Sequence, residues 1–277
     1  MVADESIKVG VLGAGGRMGR AVIKAALEHP AFQLVAAFDR PNSEFEGQDV
    51  GVLVGSQAQG VVVSSDLAAL ASKLDVIIDF TRPEASCKHM EICAQHGVNM
   101  VIGTTGFTEE QQALMIQCAE KTAIVWAPNM STSVNVAFRL IEMAAKALGG
   151  QDYDIEVLET HHRHKVDAPS GTALKMGEVL ADALGWDIKK AGVLSREGIT
   201  GERPDETIGF ATLRGGDVAG EHTVMFLGDG ERLEITHKAN SRQHWAGGAL
   251  RAAQWLQRYP CGLYGMEHVL GFESRGE

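Results

Sequence analysis

This 277-residue chain has no Cys-x-x-Cys pair, no His-Glu-x-x-His run and no excess of positive charge, and each absence removes a class of function. Cys87, Cys93, Cys118 and Cys261 are too scattered for a zinc ribbon or a redox couple. The first three fall in helix-like stretches, where a lone Cys is usually a small buried hydrophobe, so reduced thiols are expected. The net charge is −11, which argues against an extended nucleic-acid surface, because such surfaces rely on clustered Lys and Arg to displace counterions. No uncharged stretch approaches the roughly eighteen residues of a membrane span, and no basic segment followed by an apolar one opens the chain. A cytoplasmic protein is expected. Internal repeats and low-complexity tracts are also missing. What remains, 45% hydrophobic and 22% charged, is ordinary for a globular protein, and the length suggests two domains.

Against this acidic background one run stands out. His161 to Ala173 reads HHRHKVDAPSGTA, with three histidines, Arg163 and Lys165 within five positions, then a Pro-Ser-Gly-Thr turn whose backbone donors could hold an anion. Imidazoles in a row can bind metal, but the Cys residues lie far away and no spaced ligand motif accompanies them, so no metal is expected. A solvated basic patch is the other plain reading. Against it, Asp154 to Thr160 alternates polar and apolar residues like a half-buried strand. The run therefore enters a loop at a strand end, where rigid scaffolds present catalytic groups.

At the amino end, Ile7 to Leu12 reads as a buried strand running into Gly13, Ala14, Gly15, Gly16, Arg17, Met18 and Gly19. Met18, Ala21, Val22, Ala25, Ala26 and His29 then recur at helical spacing, up to Pro30. Strand, glycine turn and helix in this order place backbone N–H groups at the positive end of a helix dipole, where a pyrophosphate can lie. The pattern departs from strict GxGxxG at Met18, yet glycines at 13, 16 and 19 still supply tight turning and close approach. The next strand, Phe32 to Phe38, ends at Asp39 and Arg40. An acidic residue there suits the adenosine ribose hydroxyls and a basic one suits a 2′-phosphate, so both NADH and NADPH are plausible. The alternative is a turn whose two charges face water.

Short apolar runs at Val61 to Val63, Val76 to Phe80, Met100 to Gly103 and Ala123 to Ala127 alternate with helical patterns at Pro83 to His96 and Glu109 to Lys121. This predicts a doubly wound parallel sheet, with Thr81-Arg82-Pro83, Gly103 to Gly106 and Ala127 to Met130 facing one crevice. From Ser133 a long amphipathic helix places Ala137, Leu140, Ile141, Ala144, Ala145 and Leu148 on one face and ends at Gly149-Gly150. After the histidine run a helix spans about Thr172 to Leu184, started by Ser170 or its neighbours. Strand-like segments Ile208 to Arg214, Val218 to Leu227 and Arg232 to Lys238 follow, divided by glycine turns. An exposed sheet of that kind must be covered or paired, and a homo-oligomer does so. Ala246 to Leu256 returns to helix and could pack on the first domain. The expected fold is α/β: a Rossmann-type doubly wound parallel sheet, residues 1–131 completed by 241–277, plus a second α+β domain with a largely antiparallel or mixed sheet, residues 132–240.

Val11 to Gly19, Asp79-Phe-Thr-Arg-Pro83, Gly103 to Gly106 and His161 to Ala173 together resemble the 4-hydroxy-tetrahydrodipicolinate reductase (dihydrodipicolinate reductase) family. The resemblance extends through Gly201-Glu-Arg203, Gly209 to Thr212, Gly220-Glu-His222 and Glu234 to Lys238, nearly the whole chain. It implies an NADH- or NADPH-dependent oxidoreductase acting on CH or CH2 groups. Such an enzyme reduces a small cyclic dicarboxylate in the diaminopimelate route of lysine biosynthesis, as a homotetramer joined through the second sheet. It implies that His161 donates or accepts a proton, that Lys165 donates one, and that His162, Gly171 and Thr172 bind the substrate carboxylate. Gly13, Ala14, Gly15, Gly16, Arg17 and Met18 would cradle the pyrophosphate, Asp39 and Arg40 would meet the ribose side, and Gly103, Thr104, Thr105, Ala127, Pro128, Asn129 and Met130 would line the nicotinamide. Two positions depart from the family: Asp39 stands where Glu is common, which leaves cofactor preference open, and Pro128 replaces a smaller residue. Other classes stay in view. A non-catalytic NAD(P)H sensor would not need His161 and Lys165 on one loop. Another two-domain Rossmann dehydrogenase would lack the histidine-lysine run, and a metal-dependent hydrolase would respond to chelators.

Overall fold

The computed structural model describes residues 6–149 and 152–272. The chain divides into two compact units, residues 1–132 with 242–277, and residues 133–241. In the first unit β1 (Ile7–Leu12) leads into α1 (Arg17–Glu28), β2 (Phe32–Phe38), the short α2 (Val50–Leu53), β3 (Val63–Ser64), the short α3 (Ala68–Ala71), β4 (Val76–Asp79), α4 (Pro83–His96), β5 (Asn99–Ile102), α5 (Glu109–Ala119) and β6 (Ala123–Trp126). The second unit holds nearly all of α6 (Thr132–Leu148), then β7 (Tyr153–His161), α7 (Gly171–Leu184), α8 (Ile188–Ala191), β8 (Gly192–Val193), β9 (Ile208–Arg214), β10 (Gly220–Gly228) and β11 (Glu231–Ala239). The chain then returns to the first unit with α9 (Gln243–Leu256), β12 (Gly262–Tyr264) and α10 (Met266–Leu270).

The first sheet has seven strands in the order β12-β6-β5-β4-β1-β2-β3, and every pairing is parallel. Parallel sheets need both faces covered, and the alternation of β1 shows how this one manages it. Val9 and Val11 point into a core shared with Val22, Ile23 and Ala26 of α1 and Ala249, Leu250 and Ala253 of α9. Leu12 faces the other way, among Ile77, Met90, Met100 and Met115. Each such buried Val, Leu, Ile or Met side chain contributes about 1.5 to 3 kcal/mol. Helix limits follow local chemistry: Pro83 opens α4 without wasting an N–H, Gly97 closes it at φ 67°, and Thr108 with Gln111 forms a capping box at α5.

The second sheet is mixed, in the order β11-β10-β7-β9-β8. β10 runs antiparallel to both β7 and β11, whereas β9 runs parallel to β7 and β8. One face buries Ile155, Val157, Phe210, Val224 and Phe226 beneath Ile141 and Ala145 of α6 and Ala173, Met176 and Leu180 of α7. The opposite face carries Glu156, Leu158, Thr160, Ala211, Leu213, Thr223 and Met225, none of them buried.

Three expectations need correction or trimming. Residues 61–63 do not form a full strand, because their backbone bonds to Gln48 and Val50 and only Val63 joins the sheet. Leu140 is 47% exposed, since α6 buries a narrower stripe of Val134, Ala137, Ile141 and Ala145. The helix stop at Gly149 has φ 65°, whereas Gly150 lies outside the described residues.

Candidate active site

Two ionisable groups of the second unit, Glu159 and His161, sit on the buried face of β7. Strand alternation puts Ile155, Val157, Glu159 and His161 on one side, and Glu159 is only 1% exposed. A buried carboxylate must be paired, and this one is paired on both oxygens. Oε2 accepts from His161 Nδ1 at 2.6 Å and from one Arg214 nitrogen at 2.7 Å. Oε1 accepts from the Ser170 N–H at 3.0 Å, the other Arg214 nitrogen at 2.8 Å and Thr212 Oγ1 at 3.3 Å. Register explains the encounter: parallel pairing sets Arg214 of β9 beside His161 of β7. Burial alone would raise the Glu159 carboxyl, but the Arg214 and His161 bonds outweigh it and hold it below the ordinary range.

His161 is held below the usual imidazolium value, chiefly by burial. Glu159 pulls it upward, and Lys165 and Arg214 push it further down. Its Nε2 side is kept open by Gly220, where a Cβ would stand 2.9 Å from that nitrogen. His222 of β10 meets the His161 ring edge-on at 5.1 Å, and its Nε2 lies 3.0 Å from Ser170 Oγ. Burial pushes His222 down to about 3, so it stays neutral.

The loop after β7 is tied by its backbone. His162 and Arg163 donate to the carbonyls of Val218 and Gly216, and Lys165 donates to that of His162. Lys165, whose side chain is half-buried, bonds both oxygens of Asp167 through Nζ at 2.7 and 2.9 Å, which lowers the Asp167 carboxyl. His164 is exposed, and its N–H donates to His162 Nδ1 at 3.2 Å. Ser170 caps α7 by accepting from the Ala173 N–H. Gly171 and Thr172 thus occupy the first two positions of a fourteen-residue helix, whose N–H groups point out of its positive end.

In the first unit the expected cofactor residues gather around the turn after β1. Gly13 has φ 70°, and a Cβ on Gly19 would stand 2.0 Å from the Gly13 carbonyl oxygen, so α1 can approach only as glycine. Gly16 caps α1 with no side chain of its own, leaving the Arg17 and Met18 end of the helix facing outward. The Gly15 N–H donates to Asp39 Oδ2 at 2.8 Å, and Asp39 Oδ1 takes the Arg40 N–H at 2.8 Å. Phe45 packs against Gly15, where a Cβ would meet its ring at 1.9 Å, and the Arg20 guanidinium lies over the Phe45 ring. A cleft of about 760 Å³ opens here, lined among others by Gly13, Gly16, Asp39, Arg40, Arg82 and Lys88. These features fit a dinucleotide: a glycine cradle at a helix start, an acidic group and a basic group at the end of β2, and cations around the cleft.

The turns after β5 and β6 lie further along the sheet. Asp79, fully buried, accepts from Thr81 N–H and Oγ1 and meets His89 Nδ1 at 2.9 Å, so its role is to shape the turn after β4. Gly103 is pressed by the Phe80 ring. Thr104 is buried, its hydroxyl bonded by Ser86 and its carbonyl by Trp126 Nε1, whereas Thr105 is exposed. Ala127 donates to the Ile102 carbonyl, Pro128 is exposed, and Asn129 Oδ1 accepts from Ser131 N–H and Trp245 Nε1. Met130 turns its side chain into the core, and Gly248 of α9 packs on the Met130 carbonyl so closely that a Cβ would stand 1.7 Å away. That turn therefore offers a ligand its backbone, Asn129 and the exposed Pro128 ring.

Two family models cover almost the entire chain: "Dihydrodipicolinate reductase, N-terminus" matches residues 7–130 and "Dihydrodipicolinate reductase, C-terminus" matches residues 133–270. The chain belongs to the dihydrodipicolinate reductase family. Among its relatives, the 4-hydroxy-tetrahydrodipicolinate reductase of Chromobacterium violaceum is 54% identical over 94% of this chain and 97% of its own length, and that of Dechloromonas aromatica is 54% identical over 95% and 98%. Among solved structures, dipicolinate-bound dihydrodipicolinate reductase from Paenisporosarcina sp. TG-14 superposes with a TM-score of 0.77, at 26% identity, covering 96% of this chain and 100% of that one. An amine dehydrogenase from Mycobacterium smegmatis, TM-score 0.58 at 16% identity over 93% and 94%, shares the fold alone. Family members are oxidoreductases, and the first unit is their nucleotide-binding Rossmann domain.

Sequence reasoning missed Glu159, Asp167, Arg214, His222, Phe45, Trp245 and Gly248. For Glu159 a signal existed: the alternation that marks β7 places this carboxylate on the apolar face, two residues before His161. Asp167 lies inside the run that stood out and His222 in a segment that carries the resemblance, but neither was given a role, and for Arg214, Phe45, Trp245 and Gly248 nothing local pointed to the site.

Proposed function

We propose that this chain reduces (2S,4S)-4-hydroxy-2,3,4,5-tetrahydrodipicolinate to 2,3,4,5-tetrahydrodipicolinate with NADH or NADPH and a proton, releasing the oxidised nucleotide and water. The observation that carries the reading is the grouping of His161, Lys165 and the start of α7 around one buried carboxylate, Glu159. A cyclic dicarboxylate, the class of ligand bound in the Paenisporosarcina relative, needs charge neutralisation at two ends. Gly171 and Thr172 hold one carboxylate at the positive end of α7, and His162 with the Lys165 ammonium favours the negative charge nearby. NAD(P)H, when bound, supplies the hydride. Loss of the C4 hydroxyl with a C5 proton as water leaves a conjugated imine; hydride addition at C4 then gives an electron-rich enamine that must take a proton at C5, and His161 and Lys165 are the groups we assign to deliver it. Gly13 to Met18 hold the pyrophosphate, Asp39 and Arg40 the ribose end, and Gly103 to Thr105 with Ala127 to Met130 the nicotinamide side, chiefly through backbone. Arg40 suits the 2′-phosphate of NADPH and Asp39 the free hydroxyls of NADH, which supports use of both.

The face of the mixed sheet with Leu158, Leu213, Thr223 and Met225 supports a homotetramer built by sheet pairing, and the relatives' reductase role supports a place on the diaminopimelate route in the cytoplasm. No helix among the described residues is long and apolar enough to cross a membrane. The deciding assay follows loss of NADH and NADPH absorbance, separately, with the condensation product of pyruvate and aspartate semialdehyde. Oxidation of at least one is expected, and oxidation of neither overturns the reading.

A further inference from the structure

The proton-transfer histidine and the carboxylate cradle are joined through one side chain. Glu159 Oε2 takes His161 Nδ1, Oε1 takes the N–H of Ser170 one residue before the cradle, and Arg214 clamps both oxygens. We propose that Glu159 is a positioning residue that sets the Nδ1–H tautomer of His161 and the seat of the Ser170 to Thr172 cradle together. An ionised carboxylate can only accept, and Arg214 keeps it ionised, so the neutral His161 must carry its proton on Nδ1. Its Nε2 lone pair then faces the space that Gly220 leaves without a side chain. Thr212 adds a third bond to Oε1, and His222 closes the circuit by touching both the His161 ring and Ser170 Oγ.

The two halves cannot be satisfied by a neutral substitute. A Gln at 159 offers one acceptor and one donor, so either His161 Nδ1–H or the Ser170 N–H meets a donor. The groups facing His161 are Glu159 on its own strand, Lys165 on the following loop, Arg214 on β9 and His222 on β10. Of these only Glu159 raises the His161 value in proportion to its charge, and removing that charge moves the His161 limb of the pH profile to lower pH whether His161 acts as acid or base.

The assignment rests on the reductase role proposed for His161, and its test separates the two. Nitrogen-15 spectra of the wild-type protein at about pH 8, where imidazole is neutral, read the His161 tautomer without any substrate. Nδ1–H is expected, and Nε2–H overturns the proposal even if Glu159→Gln fails to fold. In folded Glu159→Gln the tautomer switches to Nε2–H or the KM for the dicarboxylate rises severalfold. With either change kcat falls about 10²-fold and the KM for NAD(P)H stays unchanged. Glu159→Asp, which keeps the charge, recovers part of the loss. A Gln variant with wild-type tautomer, substrate KM and kcat also overturns it. Failure of the wild type to oxidise NAD(P)H would instead defeat the reductase reading and leave the tautomer result standing.

Discussion

The glycine turn of the first unit and the β7–α7 site of the second use different materials for ligands of the same sign. Around Gly13 the cradle is backbone: a left-handed glycine, a helix start with no side-chain cap, and a contact at Gly19 that excludes any Cβ. Its charged residues, Asp39 and Arg40, are partly or fully exposed. Around Glu159 the site is a side-chain network in which a 1% exposed carboxylate orders an imidazole, a guanidinium and a helix start at once. The lesson is that a backbone cradle is broken by adding atoms, and a charge network by removing them.

The largest effect should come from removing a charge in the second region. Lys165→Ala is expected to lower kcat about 10³-fold while the Kd for NAD(P)H, read by nucleotide fluorescence, stays within about twofold. Equal loss of both would erase the division of labour. Adding one methyl in the first region comes next. Gly19→Ala must push α1 off the Gly13 carbonyl, costing about 2 kcal/mol, which denaturant unfolding and cofactor titration would register together; no change in either would show that the contact yields freely. Arg40→Ala should weaken NADPH about tenfold and NADH within about twofold, and a common shift would place the 2′-phosphate elsewhere.

The most gradual expected effect separates the regions by pH. His222 is buried neutral, with its folded value lowered from 6.5 to about 3, so below pH 6.5 the unfolded chain binds a proton that the folded one refuses. The stability from its neutral burial is complete above that pH and is lost as pH falls toward 3, by at most about 1.4 kcal/mol per pH unit. Lowered carboxyls such as Glu159 lose their contribution further down, below about pH 4.5. His222→Gln should therefore flatten the unfolding free energy between about pH 6.5 and 4.5. His161, also lowered, leaves some slope behind. An unaltered slope would mean that His222 does not titrate with folding.

Much of the fold was legible because its signals are local. Strand, glycine turn and helix at the amino end are consecutive, Pro83 and Gly97 bracket α4, and Ser170 caps α7, so each boundary is decided by residues within one turn of it. Residues 61–63 were misleading because a short β-branched run can equally bond a neighbouring loop. In the site, His161 and Lys165 could be read because they are four residues apart. Asp167 was visible beside them, but nothing in the run says that it pairs with Lys165 and not with solvent.

By itself, then, the order of residues determined most of the elements, the glycine turn after β1 and the cluster of proton-moving groups after β7. Tertiary structure alone decided which distant groups serve that cluster. Arg214 stands 55 residues from Glu159, and His222 stands 52 from Ser170. The register of β7 with β9 and β10 brings them together, and burial of the Glu159 charge makes the pairing compulsory, because a carboxylate withdrawn from water needs its donors within reach.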